Sequence, residues 1–204
     1  MDLTPDGFAR LTNVSRETLV KLTDFVGLLT EWNRRINLVG RNTVAEIWLR
    51  HILDSAQLMP ILPAGTRRIV DLGSGAGLPG LILAILGVEE VHLIESDRRK
   101  SVFLAEAIRI TRAPAILNVQ RIEHVTPVAA DVVTARALAP LLELMSLAAP
   151  FFGPRTVGLF HKGRAAAAEL TEARKSWNMK AEFIPSVTDK AGAILKLEGV
   201  ARRA

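Results

Sequence analysis

The sequence predicts an α/β protein in which a mainly parallel sheet of seven strands carries helices on both faces and follows an N-terminal helical extension. Three observations lead there. Ile69 and Val70 run through Asp71 into the alternating glycines Gly73, Gly75 and Gly77 and on to Pro79, which reads as strand, tight turn and helix start. Strand-like and helix-like segments then alternate from Arg67 onward, and the first 60 residues repeat apolar side chains at helical steps.

In the extension, Leu19, Leu22, Phe25, Val26, Leu29, Trp32 and Ile36 recur every three or four residues, predicting one long helix after Ser15 with Trp32 in the core. Thr43 and Glu46 have the spacing of a capping box, which predicts a second helix from Thr43 towards Pro60. Pro60 and Pro63-Ala-Gly65 mark a junction, so residues 1–64 are expected as the helical extension and residues 65–204 as the sheet domain. Strands are expected near 68–72, 91–95, 115–119, 131–135, 156–161, 180–185 and 193–198. Helices fall between most of them, notably 98–111, 140–150 and 164–177, with Asp97 as N-cap of the first and Ala165 to Ala168 opening the last. No helix pattern separates the final two strands, so the last strand is expected to run antiparallel.

Composition narrows the function. The 204 residues are 49% hydrophobic, but in short runs, and none approaches the roughly 18 uninterrupted apolar residues of a membrane helix. Met1-Asp2-Leu3 does not open a signal peptide, so a soluble, cytoplasmic protein with no membrane partner is expected. The absence of cysteine excludes disulfides, thiol catalysis and cysteine-based metal sites. His51, His92, His124 and His161 lack metal-ligand spacing, so no metal is expected. The net charge of +5 arises entirely in residues 151–204, which hold ten basic and five acidic side chains. Such an excess suits nucleic-acid phosphates, and equally a solvated helical surface.

The glycine turn lets a ligand lie against backbone without meeting a Cβ. Gly75-Ala-Gly77-Leu-Pro-Gly80 satisfies the dinucleotide pattern G-x-G-x-x-G, which would take NAD(P) or FAD. The wider pattern Asp71-x-Gly73-x-Gly75-x-Gly77 matches the first motif of Rossmann-like methyltransferases, which wraps S-adenosylmethionine (SAM); a purely structural turn is the third reading. Glu95 ends the next strand roughly 20 residues beyond the glycines, where a carboxylate would bond ribose hydroxyls, or it merely opens the next loop.

Further blocks fit together in order: Trp32-Asn-Arg-Arg-Ile-Asn37, Arg50-His51-Ile-Leu-Asp54-Ser55, the glycine loop, Lys100-Ser-Val-Phe103-Leu104, Arg121-Ile-Glu123, Thr134-Ala-Arg136-Ala and Lys162-Gly163. Together they resemble the bacterial 16S ribosomal RNA guanine-N7 methyltransferase G family, once called glucose-inhibited division protein B. The resemblance spans residues 32–163 and implies a Rossmann-like class I SAM-dependent methyltransferase that acts on 16S rRNA or the small ribosomal subunit. It places Asp71, Gly73, Gly75, Gly77 and Leu78 at the SAM loop, Glu95 on the ribose, Ile122 and Glu123 by the adenine, and Arg136 on the cofactor side of the active site as a positioning residue. Ile122 as simple packing, and Arg136 in a structural ion pair with Asp71 or Glu123, are the bland alternatives.

Guanine N7 carries a lone pair and no proton, so no catalytic acid or base is assigned, and positioning is the task. The N7 edge is hidden in A-form duplex, so an exposed or flipped guanine is the expected target. Candidate RNA contacts are Arg34, Arg35, Arg50, His51, Lys162 and Arg164. Against these stand a joint between extension and sheet for Arg50 and His51, with Asp54 pairing with either, and a solvated helix face for Arg34 and Arg35. His161 departs from the small or apolar residues more usual at this point of the family. Aromatics are few (5%, no tyrosine), so recognition through shape and phosphates is expected, with steep salt sensitivity. Nothing requires a dimer, and a monomer is expected. The competing functions are an NAD(P)- or FAD-dependent oxidoreductase and a non-enzymatic ribosome-assembly factor.

Overall fold

The computed structural model describes residues 3–203; Met1, Asp2 and Ala204 lie outside the described residues. Seven strands, β1 (Arg68–Leu72), β2 (Glu90–Ile94), β3 (Ala115–Asn118), β4 (Val132–Arg136), β5 (Val157–Lys162), β6 (Trp177–Pro185) and β7 (Ala193–Arg202), form one sheet in the order β3-β2-β1-β4-β5-β7-β6. The first five are parallel, and β7 enters antiparallel between β5 and β6, as the missing helix before it required. Chain reversal between β1 and β4 opens a crevice at the carboxyl ends of the strands, where ligands bind in such sheets.

Each face of the sheet carries its own core. On one face α4 (Gly80–Ile85) and α5 (Arg98–Thr111) pack together with the N-terminal helices α1 (Pro5–Thr12) and α2 (Arg16–Trp32). Phe103 of α5 sits between Phe25 and Trp32 of α2, with ring centroids at 6.2 and 5.8 Å. The other face is covered by α6 (Leu141–Ala148) and α7 (Ala166–Ala173), packed over Val70, Leu72 and Phe160. The caps are local: Thr4 accepts from the Gly7 amide, Ser15 from Thr18, and Asp97 from Arg99 and Lys100.

Several boundaries depart from the sequence reading for identifiable reasons. The stripe to Ile36 overran α2, because Asn33 Oδ1 accepts the amides of Leu38 and Val39 at 2.8 and 2.9 Å and turns the chain. The second helix is not one α-helix capped by Thr43. A 3-10 turn covers Arg41–Thr43, a π-helical segment Trp48–Leu53 leads into α3 (Asp54–Ala56), and a 3-10 turn ends it at Met59–Ile61. Thr43 Oγ1 is engaged by Gly40 O and His51 instead of capping, and wide π turns recur at functional sites. Pro79 is the N-cap of α4 and not its first residue. The helix expected over 164–177 stops at Ala173, since buried Trp177 joins the second core as the first residue of β6.

Candidate active site

The glycine loop leaves β1 behind Asp71, which is fully buried. Thr134 Oγ1 donates to Asp71 Oδ1 at 2.7 Å, while Oδ2 has no partner and lies where a Cβ on Gly80 would come within 2.7 Å of it. Burial pushes this carboxyl up to about 6. Gly73, Gly75 and Gly77 all have positive φ. At Gly73 (φ +64°) a Cβ would stand 2.6 Å from Leu138 Cδ1, so only glycine keeps the cleft between them open.

Glu95 is tied to the loop. The Gly75 amide donates to Oε2 at 2.8 Å and the Asp97 amide to Oε1 at 2.7 Å, so one carboxylate braces the glycine turn and the start of α5. In front lies a cleft of 380 Å³ lined by Gly73, Glu95, Ile122, Glu123, Ala137 and Leu138, among others. Asp71, Gly75, Gly77 and Leu78 stand outside this lining, and Asp71 and Leu78 are buried behind it. An elongated cofactor with a polar ribose fits this arrangement: side-chain-free backbone at Gly73, acceptor oxygens at Glu95, and the partly buried Ile122 beside Glu123 for a flat apolar ring.

A second pocket of 320 Å³ adjoins at Ala137 and is lined by Thr43, Arg50, His51, Asp54, Arg136, His161 and Asp189, among others. Arg136, at the end of β4, pairs with neither Asp71 nor Glu123. Its Nη1 donates to Asp54 Oδ2 at 2.9 Å and its Nη2 bonds His51 Nδ1 at 2.6 Å, because the strand end faces the π-helical segment. Asp54 therefore pairs with Arg136, not with Arg50 or His51, the partners that the structural alternative offered. Arg50 instead reaches the 186–192 loop, donating to Thr188 O at 3.1 Å and to Asp189 Oδ2 at 3.4 Å. Burial, then the nearby Arg136 charge, lowers His51 to about 4, and burial lowers His161 as well. His161 Nε2 donates to the Asp54 carbonyl at 2.8 Å, leaving Nδ1 buried without a partner.

The other expected RNA contacts separate into two groups. Lys162 is turned inward, its Nζ donating to Ala139 O at 2.9 Å and to Glu169 at 2.8 Å with the side chain 8% exposed. Arg164 is exposed beside Gly163, which lines the second pocket. Arg34 and Arg35 are exposed on the turn after α2 and line neither pocket. Sequence reasoning passed over Thr43, Thr188 and Asp189 as site residues; the first was read as a cap, and the 186–192 loop carries no motif. It also missed Ala137, a non-glycine residue at φ +52° where the two pockets meet. Among the described residues no three His, Asp or Glu side chains converge to hold a metal.

Comparison with known proteins adds to this geometry. A family model described as "GidB: rRNA small subunit methyltransferase G" matches residues 18–196. A Rhodospirillum centenum protein named ribosomal RNA small subunit methyltransferase G is 56% identical, over 96% of this chain and 91% of its own. A Paramagnetospirillum magneticum protein of the same name is 51% identical over 97% of each chain. Among solved structures, a TehB-like SAM-dependent methyltransferase from Corynebacterium glutamicum superposes with a TM-score of 0.58 at 14% identity, covering 87% of this chain and 98% of that one. A mutant of MtNAS, in complex with S-adenosylmethionine, gives 0.59 at 11% identity, covering 96% and 84%. At such identities the two structures attest the fold.

Proposed function

The chain belongs to the rRNA small subunit methyltransferase G family, and from that premise we propose that it transfers a methyl group from SAM to N7 of a guanine in the 16S RNA of the small ribosomal subunit. The observation that carries this reading is the meeting of the two pockets at Ala137, one suited to a cofactor and the other holding Arg136. Gly73, Glu95, Ile122 and Glu123 would hold SAM, and Asp71, Gly75, Gly77 and Leu78 would shape the loop from behind. Bound there, SAM supplies an electrophilic methyl group, which the unprotonated N7 lone pair accepts without a general base.

The chain's own work is orientation. Asp71, its carboxyl hydrogen-bonded by Thr134, fixes the end of β1 against β4, and Glu95 fixes the loop against α5. Arg136 reaches the second pocket, where the base would stand, already anchored on Asp54 and His51. Its planar fork leaves further N–H donors for a base edge or phosphate. Arg50, Arg136 and Lys162 are each matched by a carboxylate (Asp189, Asp54 and Glu169). That balance suits a neutral base that becomes a cation on methylation. Exposed Arg34, Arg35 and Arg164 are then left for the phosphates, while His51 and Arg50 serve the pocket itself.

We propose that the enzyme acts as a monomer. No helix among the described residues is long and apolar enough to cross a membrane, and we place the enzyme in the cytoplasm with its ribosomal substrate. The oxidoreductase and assembly-factor readings have no support from the family. The test is incubation with methyl-labelled SAM and small subunits from cells lacking this activity, followed by digestion to nucleosides. Label in 7-methylguanosine from 16S RNA, absent with Arg136→Ala, is the expected result; label in any other nucleoside overturns the N7 assignment.

A further inference from the structure

We propose that Thr43 and His51 are positioning residues for Arg136, fixing the orientation of its guanidinium where the two pockets meet; this rests on the reading of Arg136 given above. The bonds that link them admit one proton order. Arg136 Nη2 only donates, so His51 Nδ1, 2.6 Å away, is the unprotonated nitrogen. The ring proton of a neutral histidine then sits on Nε2 and is directed at Thr43 Oγ1, 2.7 Å away. Thr43 Oγ1 donates its own proton to Gly40 O, again at 2.7 Å, and a carbonyl only accepts. Each donor has one acceptor, and the series ends on backbone.

Arg136 is thereby held at two nitrogens from two directions. Nη1 is taken by Asp54 Oδ2 at 2.9 Å and Nη2 by His51. A planar fork bound at both ends is fixed in rotation as well as in place. The anchor lies in the 3-10 turn Arg41–Thr43 with Gly40 before it, and not in the sheet, so the N-terminal segment aims a residue of β4. His51 is 4% exposed, so its ring nitrogens depend on protein partners for their hydrogen bonds. Without the Thr43 oxygen, the buried Nε2–H loses its acceptor and the ring is released to flip. A flipped ring would present the Cδ2 carbon to the guanidinium in place of Nδ1, and Nη2 would lose its acceptor.

The experiment uses the full chain, undermodified small subunits and SAM, with Thr43→Val, Thr43→Ser and Arg136→Ala beside the unaltered protein. Thr43→Val should lower kcat about 10-fold, as loss of a supporting hydrogen bond behind a site residue does, with KM for SAM changed by less than about twofold. Thr43→Ser, which keeps the hydroxyl, should restore kcat. The 15N spectrum of His51 should show a protonated Nε2 and a bare Nδ1. If Thr43→Val keeps full kcat while Arg136→Ala is inactive, the positioning proposal is overturned and the reading of Arg136 stands. An active Arg136→Ala removes that reading and the proposal with it. A protonated Nδ1 in the unaltered chain, or a serine variant as impaired as valine, also overturns the proposal. Should Thr43→Val fail to fold, those two measurements decide.

Discussion

Ala137 and Gly73 show how single residues shape this site. An L-residue in the left-handed region stores about 1–2 kcal/mol of strain, and Ala137 does so at φ +52° between the pockets. Ala137→Gly should therefore raise the melting temperature by about 2–4 °C while slowing methyl transfer through a looser junction. A calorimetric scan showing a lower melting temperature would mean that the alanine is not strained. Gly73→Val should act in the opposite sense, since its Cβ would press on Leu138 at 2.6 Å and close the cofactor cleft. Calorimetric titration should find SAM affinity reduced by at least about 100-fold, and unchanged affinity would place the cofactor elsewhere. His51 predicts a pH dependence. Lowered from 6.5 to about 4, it binds protons better in the unfolded chain. Stability should therefore fall as pH drops from 6.5 towards 4, by on the order of 3 kcal/mol. Asp71, raised to about 6 from 3.8, has the opposite sign and offsets part of this loss between those values. Urea midpoints should show a flatter acid limb for His51→Asn than for the unaltered chain.

At the scale of elements, the N-terminal helices and the sheet share a core through Phe103. Phe103→Ala removes the ring that Phe25 and Trp32 pack against. It should cost about 3–5 kcal/mol in denaturant unfolding, and a loss below about 1 kcal/mol would mean that α2 is only loosely attached. The alternation of strands and helices, the glycine turn and the antiparallel last strand were legible because each rests on local pattern: period, β-branching, turn residues. The segment from Arg41 to Ile61 was not. Its π turn follows from tertiary bonds that Arg50, His51 and Asp54 make to β4, β5 and the 186–192 loop, and local spacing does not encode these. For the same reason the glycine turn and Glu95 could be marked along the sequence, whereas the partners of Arg136 could not. A histidine and a carboxylate more than 80 residues away meet it only in the fold.

At the scale of the whole molecule, charge is divided between matched pairs in and beside the second pocket and exposed arginines outside it, of which Arg35 has a loose partner in Glu31 at 4.0 Å. If Arg34, Arg35 and Arg164 each meet one phosphate of an unpaired strand, RNA affinity should fall about 20-fold between about 50 and 200 mM salt. Neutralising any one of them should shallow that slope by about 0.7; filter binding that finds no change would remove the residue from the interface. The pairs Arg136–Asp54, Arg50–Asp189 and Lys162–Glu169 behave differently. Deleting one member leaves an uncompensated charge, strongly destabilising where the pair is buried. In lineages descended from this chain, acid and base at each pair should covary, both kept or both replaced. The lining of the pocket then diversifies through compensated double changes, while the exposed arginines drift one at a time.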